Sequence, residues 1–235
     1  DGSIKKRVYD FFEKLAEDDT SPALHIEPMN VAIDPRVRTG RVDIHYRAVL
    51  FKVEDKSSTP TYIYMGTWNH DDAIKLAEKA TLKVNPINGT LEGLIGDIEP
   101  PAESASATQP SRSAQKAAPS YLAGVGYTLA DLTDGLGIDP RISERAMAAV
   151  DEDAVLSAAE GALGWEASAI LELLTGTSIE DIREKHGFTD KPIDTDPDDD
   201  QQIIEALERP ASKMQFAFIE DDEELRRVIE GGDFA

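Results

Sequence analysis

Arginines and histidines crowd one short part of this chain. Arg36, Arg38, Arg41, His45 and Arg47 fall close together, and Trp68, Asn69 and His70 follow one another further on. The arginine guanidinium is a planar fork that can bond two phosphate oxygens. A histidine titrates near neutrality and can move protons. Brought together, the two can cleave RNA by activating a 2′-hydroxyl and stabilising the charge that develops. Arg47 and His70 are the candidate catalytic pair, and Arg36, Arg38, Arg41, His45 and Trp68 are candidate nucleic-acid contacts. The same residues also fit a surface without chemistry. Arginines are common on exposed strand faces, His70 before Asp71 and Asp72 fits a helix start, and Trp68 fits a core position. Ligand binding without chemistry is a third use.

For these side chains to meet, the elements carrying them must form one sheet. Ile4, Val8, Phe11, Phe12 and Leu15 recur at helical spacing, so Ile4 to Leu15 reads as an amphipathic helix. The period then changes. Ala23 to Met29 reads as a short strand and Val37 to His45 as a second. Tyr46 to Val53 and Thr61 to Trp68 are rich in β-branched and aromatic residues and read as a hairpin, with its loop over Glu54 to Pro60. A second helix opens at Asn69 to Asp72, with Asn69 or Asp71 as its cap, carries Ala73, Leu76, Ala77 and Ala80 on one face, and ends at Asn85-Pro86. Neighbouring antiparallel strands would place Arg47 and His70 on one surface.

The rest of the chain reads differently. Residues 97–119 are rich in Pro, Ala and Ser without periodicity, the signature of a flexible linker. Residues 120–188 read as a helical domain. Its helices are expected over Tyr127 to Leu132 with Thr128 as cap, Pro140 to Val150, Glu152 to Glu160, Trp165 to Leu174 and Ser178 to His186. Residues 189–200 read as an acidic linker. That run lacks the glycine of an EF-hand loop and carries two prolines, so it reads as a solvated acidic loop. Residues 201–235 read as a short helix, a strand over Met214 to Glu220 and a last helix over Glu223 to Ile229.

Composition bounds the function. The net charge is −22, from 24 Lys and Arg against 46 Asp and Glu. Residues 1–94 carry 13 basic and 15 acidic side chains, a balance of −2, which leaves −20 for the remainder. The acidic part should be repelled by nucleic acid at long range, so a phosphate contact is expected from the N-terminal part. Cysteine is absent, which excludes disulfides, iron–sulfur clusters and thiolate zinc sites and fits a reducing compartment. His25, His45, His70 and His186 include no pair at helical metal-ligand spacing, so no metal is expected. No run approaches about 18 consecutive apolar residues, which excludes a membrane-spanning helix. No apolar h-region follows Asp1 to Arg7, so no signal peptide is expected and the expected location is cytoplasmic. A P-loop, a G-x-G-x-x-G turn, a G-x-S-x-G elbow and H-E-x-x-H are all missing, and no cofactor is expected. The Asp-Gly-Ser start reads as a trimmed N-terminus. The stop at Ala235, soon after an element begins, reads as a boundary before further sequence.

The segments "RVRTGRVDIHYRAVLF" and "YIYMGTWNHDDAIKLA" resemble the RelE/ParE toxin superfamily, through Arg41, Tyr46, Arg47, Gly66, His70 and Asp71, over roughly residues 4–85. In ribosome-dependent members the resemblance implies mRNA cleavage, with Arg47 at the strand arginine and His70 where several members carry a catalytic His or Arg. A longer resemblance covers most of the chain. RelE-like domains with "HDD" after the last strand occur at the front of bacterial UvrD/Rep-type, superfamily 1 helicases. There they are followed by segments similar to "YTLADLTDGLGIDP" and "ALERPASKMQFAFIEDDEELRRVIEGGDF". This implies an accessory region ahead of a motor that the chain itself does not contain.

The expected fold is therefore α+β: a RelE-like antiparallel sheet with flanking helices over 1–96, a linker over 97–119, a helical acidic domain over 120–188, an acidic linker over 189–200, and a helix-strand-helix lead-in over 201–235. The expected function is a non-catalytic accessory region of an ATP-dependent DNA helicase that binds nucleic acid or a protein partner. Its expected partners are the downstream motor and DNA or RNA, with no membrane. The alternative is a RelE-like ribosome-dependent endoribonuclease. A further reading has the acidic half mimicking nucleic acid and occupying a basic groove.

Overall fold

Ala48 to Phe51 are apolar in unbroken succession within the segment Tyr46 to Val53, and such a strand is stable only when both of its faces are covered. Helices supply both covers. The computed structural model describes residues 2–54, 59–94, 120–219 and 221–231. Its first part runs α1 (Gly2–Glu17), β1 (Glu27–Pro28), β2 (Val37–Arg41), β3 (Tyr46–Val53), β4 (Thr61–Asn69), α2 (His70–Lys79), β5 (Thr81–Val84) and β6 (Leu91–Leu94). Strands β1 to β4 form one antiparallel sheet in sequential order, and β5 and β6 form a separate hairpin. On one face Val37, Val49, Phe51 and Ile63 pack with Ala73 and Ala77 of α2. On the other, Ala48 and Leu50 pack with Phe11 and Leu15 of α1. The linker read over 97–119 and the centre of the loop between β3 and β4 lie outside the described residues.

Three expected boundaries move, each for a local reason. The strand expected over Ala23 to Met29 shrinks to Glu27–Pro28. Pro28 cannot donate to a ladder, and His25 has a left-handed backbone with φ 43°. The strand expected to reach His45 stops at Arg41, because the Asp43 carboxylate captures the N–H groups of His45 (2.6 Å) and Tyr46 (2.7 Å) and turns the chain. Helix α2 ends at Lys79, short of Asn85-Pro86. Thr81–Val84 instead pairs with Leu91–Leu94, and the N–H of Leu82 donates to Asp34 Oδ2 at 3.0 Å.

The second part is helical: α3 (Tyr121–Val125), a π-helical turn (Asp131–Leu136), α4 (Pro140–Ala148), α5 (Glu152–Ala158), α6 (Gly164–Leu174) and α7 (Ile179–His186). Side-chain caps set its starts. Asp139, Asp151 and Ser178 each accept a first-turn N–H. Thr128 and Asp131 cap one another, with Thr128 N–H to Asp131 Oδ2 at 2.7 Å and Asp131 N–H to Thr128 Oγ1 at 3.2 Å. Trp165 is fully buried, edge-on to Phe188 at 5.4 Å, in a core that also holds Leu132, Leu136, Ile170 and Ile182.

The last part corrects the expected lead-in. It contains α8 (Asp200–Leu207), α9 (Pro210–Lys213) and α10 (Asp222–Gly231), and residues 214–219 form no strand. It does not stand apart. Ile203, Ala206 and Leu207 of α8 join the core on the α2 face of the sheet, and Leu225 and Ile229 of α10 pack on Ile4 and Val8 of α1. Residues 189–199 are irregular, but they are tied down. Thr189 N–H donates to Asn88 O (2.9 Å) and Ile193 N–H to Pro86 O (2.8 Å). The chain thus leaves the α+β body, builds the helical unit, and returns to complete the body it left.

Two polar joints hold this return. In the first, the Arg36 guanidinium grips Asp34 with two bonds of 2.8 Å, donates to Leu82 O (3.2 Å) and reaches Asp200 Oδ1 at 3.5 Å. Burial opposes the charge on Asp34, but the Arg36 fork and the N–H groups of Arg36 and Leu82 outweigh it and hold its carboxyl below the usual carboxylate range. In the second, the turn between β5 and β6 meets the end of the π-helical turn. Asn85 Nδ2 donates to Gly137 O and Asn88 Nδ2 to Leu136 O, both at 2.8 Å. Gly137 has φ 80°, and a Cβ there would sit 2.9 Å from both asparagine side chains. Glu92 accepts from Asn85 at 2.7 Å beside this joint. Burial pushes its carboxyl up to about 7, with Glu166 and Asp139 adding to the rise against the Asn85 bond.

Breaking the first joint on one side should cost more than removing it whole. Arg36→Met leaves Asp34 and Asp200 without their cation and should lower stability by about 3–5 kcal/mol in urea unfolding, while Asp34→Asn with Arg36→Met loses less. The Glu92 joint makes stability fall as pH rises. The folded pKa lies above the unfolded one, so the contribution is fully present below about pH 4 and is lost as pH climbs through about 7. Glu92→Gln should therefore lie close to the parent at about pH 4 and exceed it at pH 8 by up to about 3 kcal/mol in the same measurement.

Candidate nucleic-acid interface

Strand register decides which of the nominated residues meet. Arg41 pairs with Arg47, and Arg47 pairs with Trp68, so the three form one rung across β2, β3 and β4. The next pair along is Tyr46 with Asn69, and the N–H of His70 then donates to His45 O at 2.8 Å. Arg41, Arg47, His45, Trp68 and His70 therefore gather at one end of the sheet. Asn69 caps α2 by accepting from Asp72 N–H at 3.1 Å, which places His70 at the first helical position. His70 is exposed, with Nδ1 3.1 Å from the exposed Asp71 carboxylate.

The other two arginines do not join this group. Arg36 is buried in the ion pair with Asp34, so the expectation that it contacts nucleic acid is corrected. Arg38 pairs with Leu50, whose side chain is buried on the α1 face, and directly opposed residues share a face. Its guanidinium donates to Pro35 O (2.7 Å) and Val37 O (2.9 Å).

Asp43 organises the end that remains. Besides turning the chain, its carboxylate pairs with Arg7 of α1, and its carbonyl accepts from Arg47 Nη1 (2.8 Å) and Arg41 Nε (3.4 Å). Sequence reasoning passed over Asp43 and Arg7. An Asp two residues before His45 and three before Tyr46 is a recognisable turn signal, whereas the approach of Arg7 depends on how α1 crosses the sheet. Trp68 is half-buried against the α2-side core, so the core reading and the surface reading each hold for part of its ring. A bulge sets its position. Val49 pairs with Gly66 and Leu50 with Tyr64, which leaves Met65 as the extra residue in β4. The Trp68 indole lies over Gly66, where φ is 151° and a Cβ would meet the ring at 2.4 Å.

Chemically, this end offers cations and a partly open aromatic ring. Arg47 spends one nitrogen on the chain's own carbonyls, Asp43 O and Tyr46 O, and both histidines lie in exposed positions. Among the described residues no group of acidic or histidine side chains is arranged to hold a metal ion. No hydrogen bond or ion pair among them joins the acidic helical unit to Arg41, His45, Arg47 or His70. Comparison of the chain with protein-family models, curated proteins and solved structures gives no match.

The bulge gives a direct check on how this end is built. Gly66→Ala should displace the Trp68 ring and lower stability by about 1–3 kcal/mol, seen as a lower melting temperature with a red-shifted tryptophan emission. Trp165, fully buried in the helical core, should contribute no shift of its own.

Proposed function

We propose that this chain is a non-catalytic accessory module that binds nucleic acid through the Arg41, His45, Arg47, Trp68 and His70 end of its sheet. The gathering of these side chains at one end of a chain of net charge −22 is the observation that carries the reading. Two arginines suit phosphates, and an indole edge suits a base in a single strand. General acid–base catalysis asks for a titrating group held in place beside the proton it moves. His70 instead sits in the open against Asp71, and this favours binding over cleavage. The placement ahead of a UvrD/Rep-type helicase motor rests on the sequence resemblance alone, as does the RelE-like identity of the sheet. The alternative, a ribosome-dependent endoribonuclease acting through Arg47 and His70, rests on that resemblance too.

One experiment separates the two. Fluorescence anisotropy with a labelled single-stranded oligonucleotide should show binding that weakens with salt. Arg41→Ala and Arg47→Ala should each reduce the slope of log K against log salt by about 0.7, the loss of one phosphate contact. Ribosome-bound mRNA incubated with the chain should stay intact. Cleavage that Arg47→Ala and His70→Ala abolish would overturn the accessory reading in favour of the nuclease, and a salt slope unchanged by either arginine variant would remove the interface.

A further inference from the structure

Beside this sheet end lies a cavity of about 360 Å³, between α1, the loop before β1 and the turn after β2. Its charged and titratable lining is Arg7, Asp10 and Lys14 from α1, His25 from the loop, and Arg41 and Asp43 from the sheet, over a floor of Phe11 and Leu24. We infer that this cavity is a phosphate pocket, which seats one phosphate of a nucleotide unit between Lys14, His25 and Arg41. The inference rests on the proposed nucleic-acid interface only for the source of that phosphate, since Arg41 belongs to both.

The charge balance of the lining points to an anion. Three permanent cations face two carboxylates, and Asp43 is already committed to Arg7 and to the N–H groups of His45 and Tyr46. Arg41 uses only Nε, on the Asp43 carbonyl, and both terminal nitrogens of its fork are without a partner among the described residues. The side chains of Lys14 and His25 likewise have no hydrogen-bond or ion-pair partner among the described residues. Asp10 is the one competing carboxylate, placed on α1 at helical spacing from Arg7 and Lys14. A two-pronged guanidinium with an ammonium beside it suits the several oxygens of a phosphate. The volume lies near the lower end of the roughly 300–1,000 Å³ of small-molecule sites, and exceeds what a bare ion needs.

The backbone beside the cavity is unusual as well. His25 is the one non-glycine residue with left-handed φ among the described residues. Such a conformation persists only where the surroundings over-determine it. They do so at Leu24, which is buried, whose N–H donates to Ser21 O (3.1 Å) and whose carbonyl accepts from Arg41 N–H (2.6 Å). With Leu24 fixed at both groups, the chain turns at His25, an exposed residue that lines the cavity together with Arg41.

The test titrates the chain with inorganic phosphate, adenosine monophosphate, and a short single-stranded oligonucleotide with and without a 5′-phosphate, following amide resonances of His25 and Arg41. Variants are Lys14→Gln, Arg41→Gln and Asp10→Asn, with Lys75→Gln on α2 as control. All four positions are outside the buried core, and circular dichroism verifies the fold. The expected result is that phosphate-bearing probes shift both resonances, that Lys14→Gln and Arg41→Gln each weaken them about tenfold, that Asp10→Asn tightens them, and that Lys75→Gln changes nothing. If the oligonucleotides bind and Arg47→Ala weakens them while Lys14→Gln and Asp10→Asn do not alter them, the pocket is overturned and the sheet-end interface stands. If phosphate and the mononucleotide bind but neither oligonucleotide does, the pocket stands and the interface falls. If no probe binds, both fall.

Discussion

The buried fork between Arg36 and Asp34 is the contact on which the rest of the molecule depends. A guanidinium withdrawn from water is tolerated only if most of its donors are used, and this one reaches three separate parts of the chain. It holds Asp34 just ahead of β2, the carbonyl of Leu82 in β5, and Asp200 at the first turn of α8. Asp200 uses its other oxygen to accept from Glu54 N–H at 2.7 Å, past the end of β3. One charged network therefore decides where the sheet begins, where the second hairpin docks, and where the chain comes back after the helical unit. The apolar burial of Ile203, Ala206 and Leu207 supplies most of the favourable energy of that return, but it is not directional. The Asp200 carboxylate supplies the register.

From this follows the peculiar balance of the joint between the two units. The hairpin of β5 and β6 is fixed below by Asp34 and above by the asparagine contacts to Leu136 and Gly137. Its interior must accept whatever side chains the strands present, and Glu92 is one of them. Glu166 accepts from Asp139 N–H and Leu163 N–H, both at 2.8 Å, so it is useful to the helical unit where it stands. Burial nonetheless raises its pKa as it does that of Glu92. Two carboxylates that each serve their own unit are thus brought near one another by docking. The clamp at Arg36 is strongest when its acids are ionised, and the Glu92 joint is strongest when its acid is neutral. The structure holds these opposed demands at opposite ends of one hairpin.

Where order is local, the sequence carried it openly. Helix α1, strands β3 and β4 and the caps of α4, α5 and α7 all lie where periodicity and cap residues place them, because the interactions that form them span a few residues. What the sequence hid is long-range. Arg36 and Arg38 look like equivalent members of a basic strand, yet one is paired with an acid 164 residues away and the other bonds nearby carbonyls. Phe216 and Phe218 alternate as a strand would, but alternation cannot supply a neighbouring strand. Phe216 packs against the α2-side core while the segment remains irregular. The end of α2 was misplaced because the deciding acceptor for Leu82 N–H, Asp34, lies 48 residues earlier. Of the nominated interface, the meeting of Arg47 and His70 at one surface was legible from strand order, whereas the rung of Arg41, Arg47 and Trp68 depends on the turn at Asp43. The organiser Asp43 lay inside the expected strand and was passed over.

The same distinction bears on how an acidic chain can present a basic end at all. Long-range repulsion from a charge of −22 would be felt over the whole surface, but salt at physiological strength screens it within about 8 Å. Contacts inside that distance are decided by the nearest side chains. Asp43 is the acidic residue that both arginines contact, and the fold neutralises it with Arg7 and two backbone N–H groups before any ligand arrives. Its carbonyl, not its carboxylate, then orients Arg41 and Arg47. Asp71 does the opposite at His70, offering the ring an exposed carboxylate. The proposed interface is therefore graded across its width. Cations free to meet an oxyanion lie on the Arg41 side, and a histidine already beside a carboxylate lies on the other. A strand of nucleic acid crossing this end would find its strongest electrostatic hold on the side where β2 meets α1.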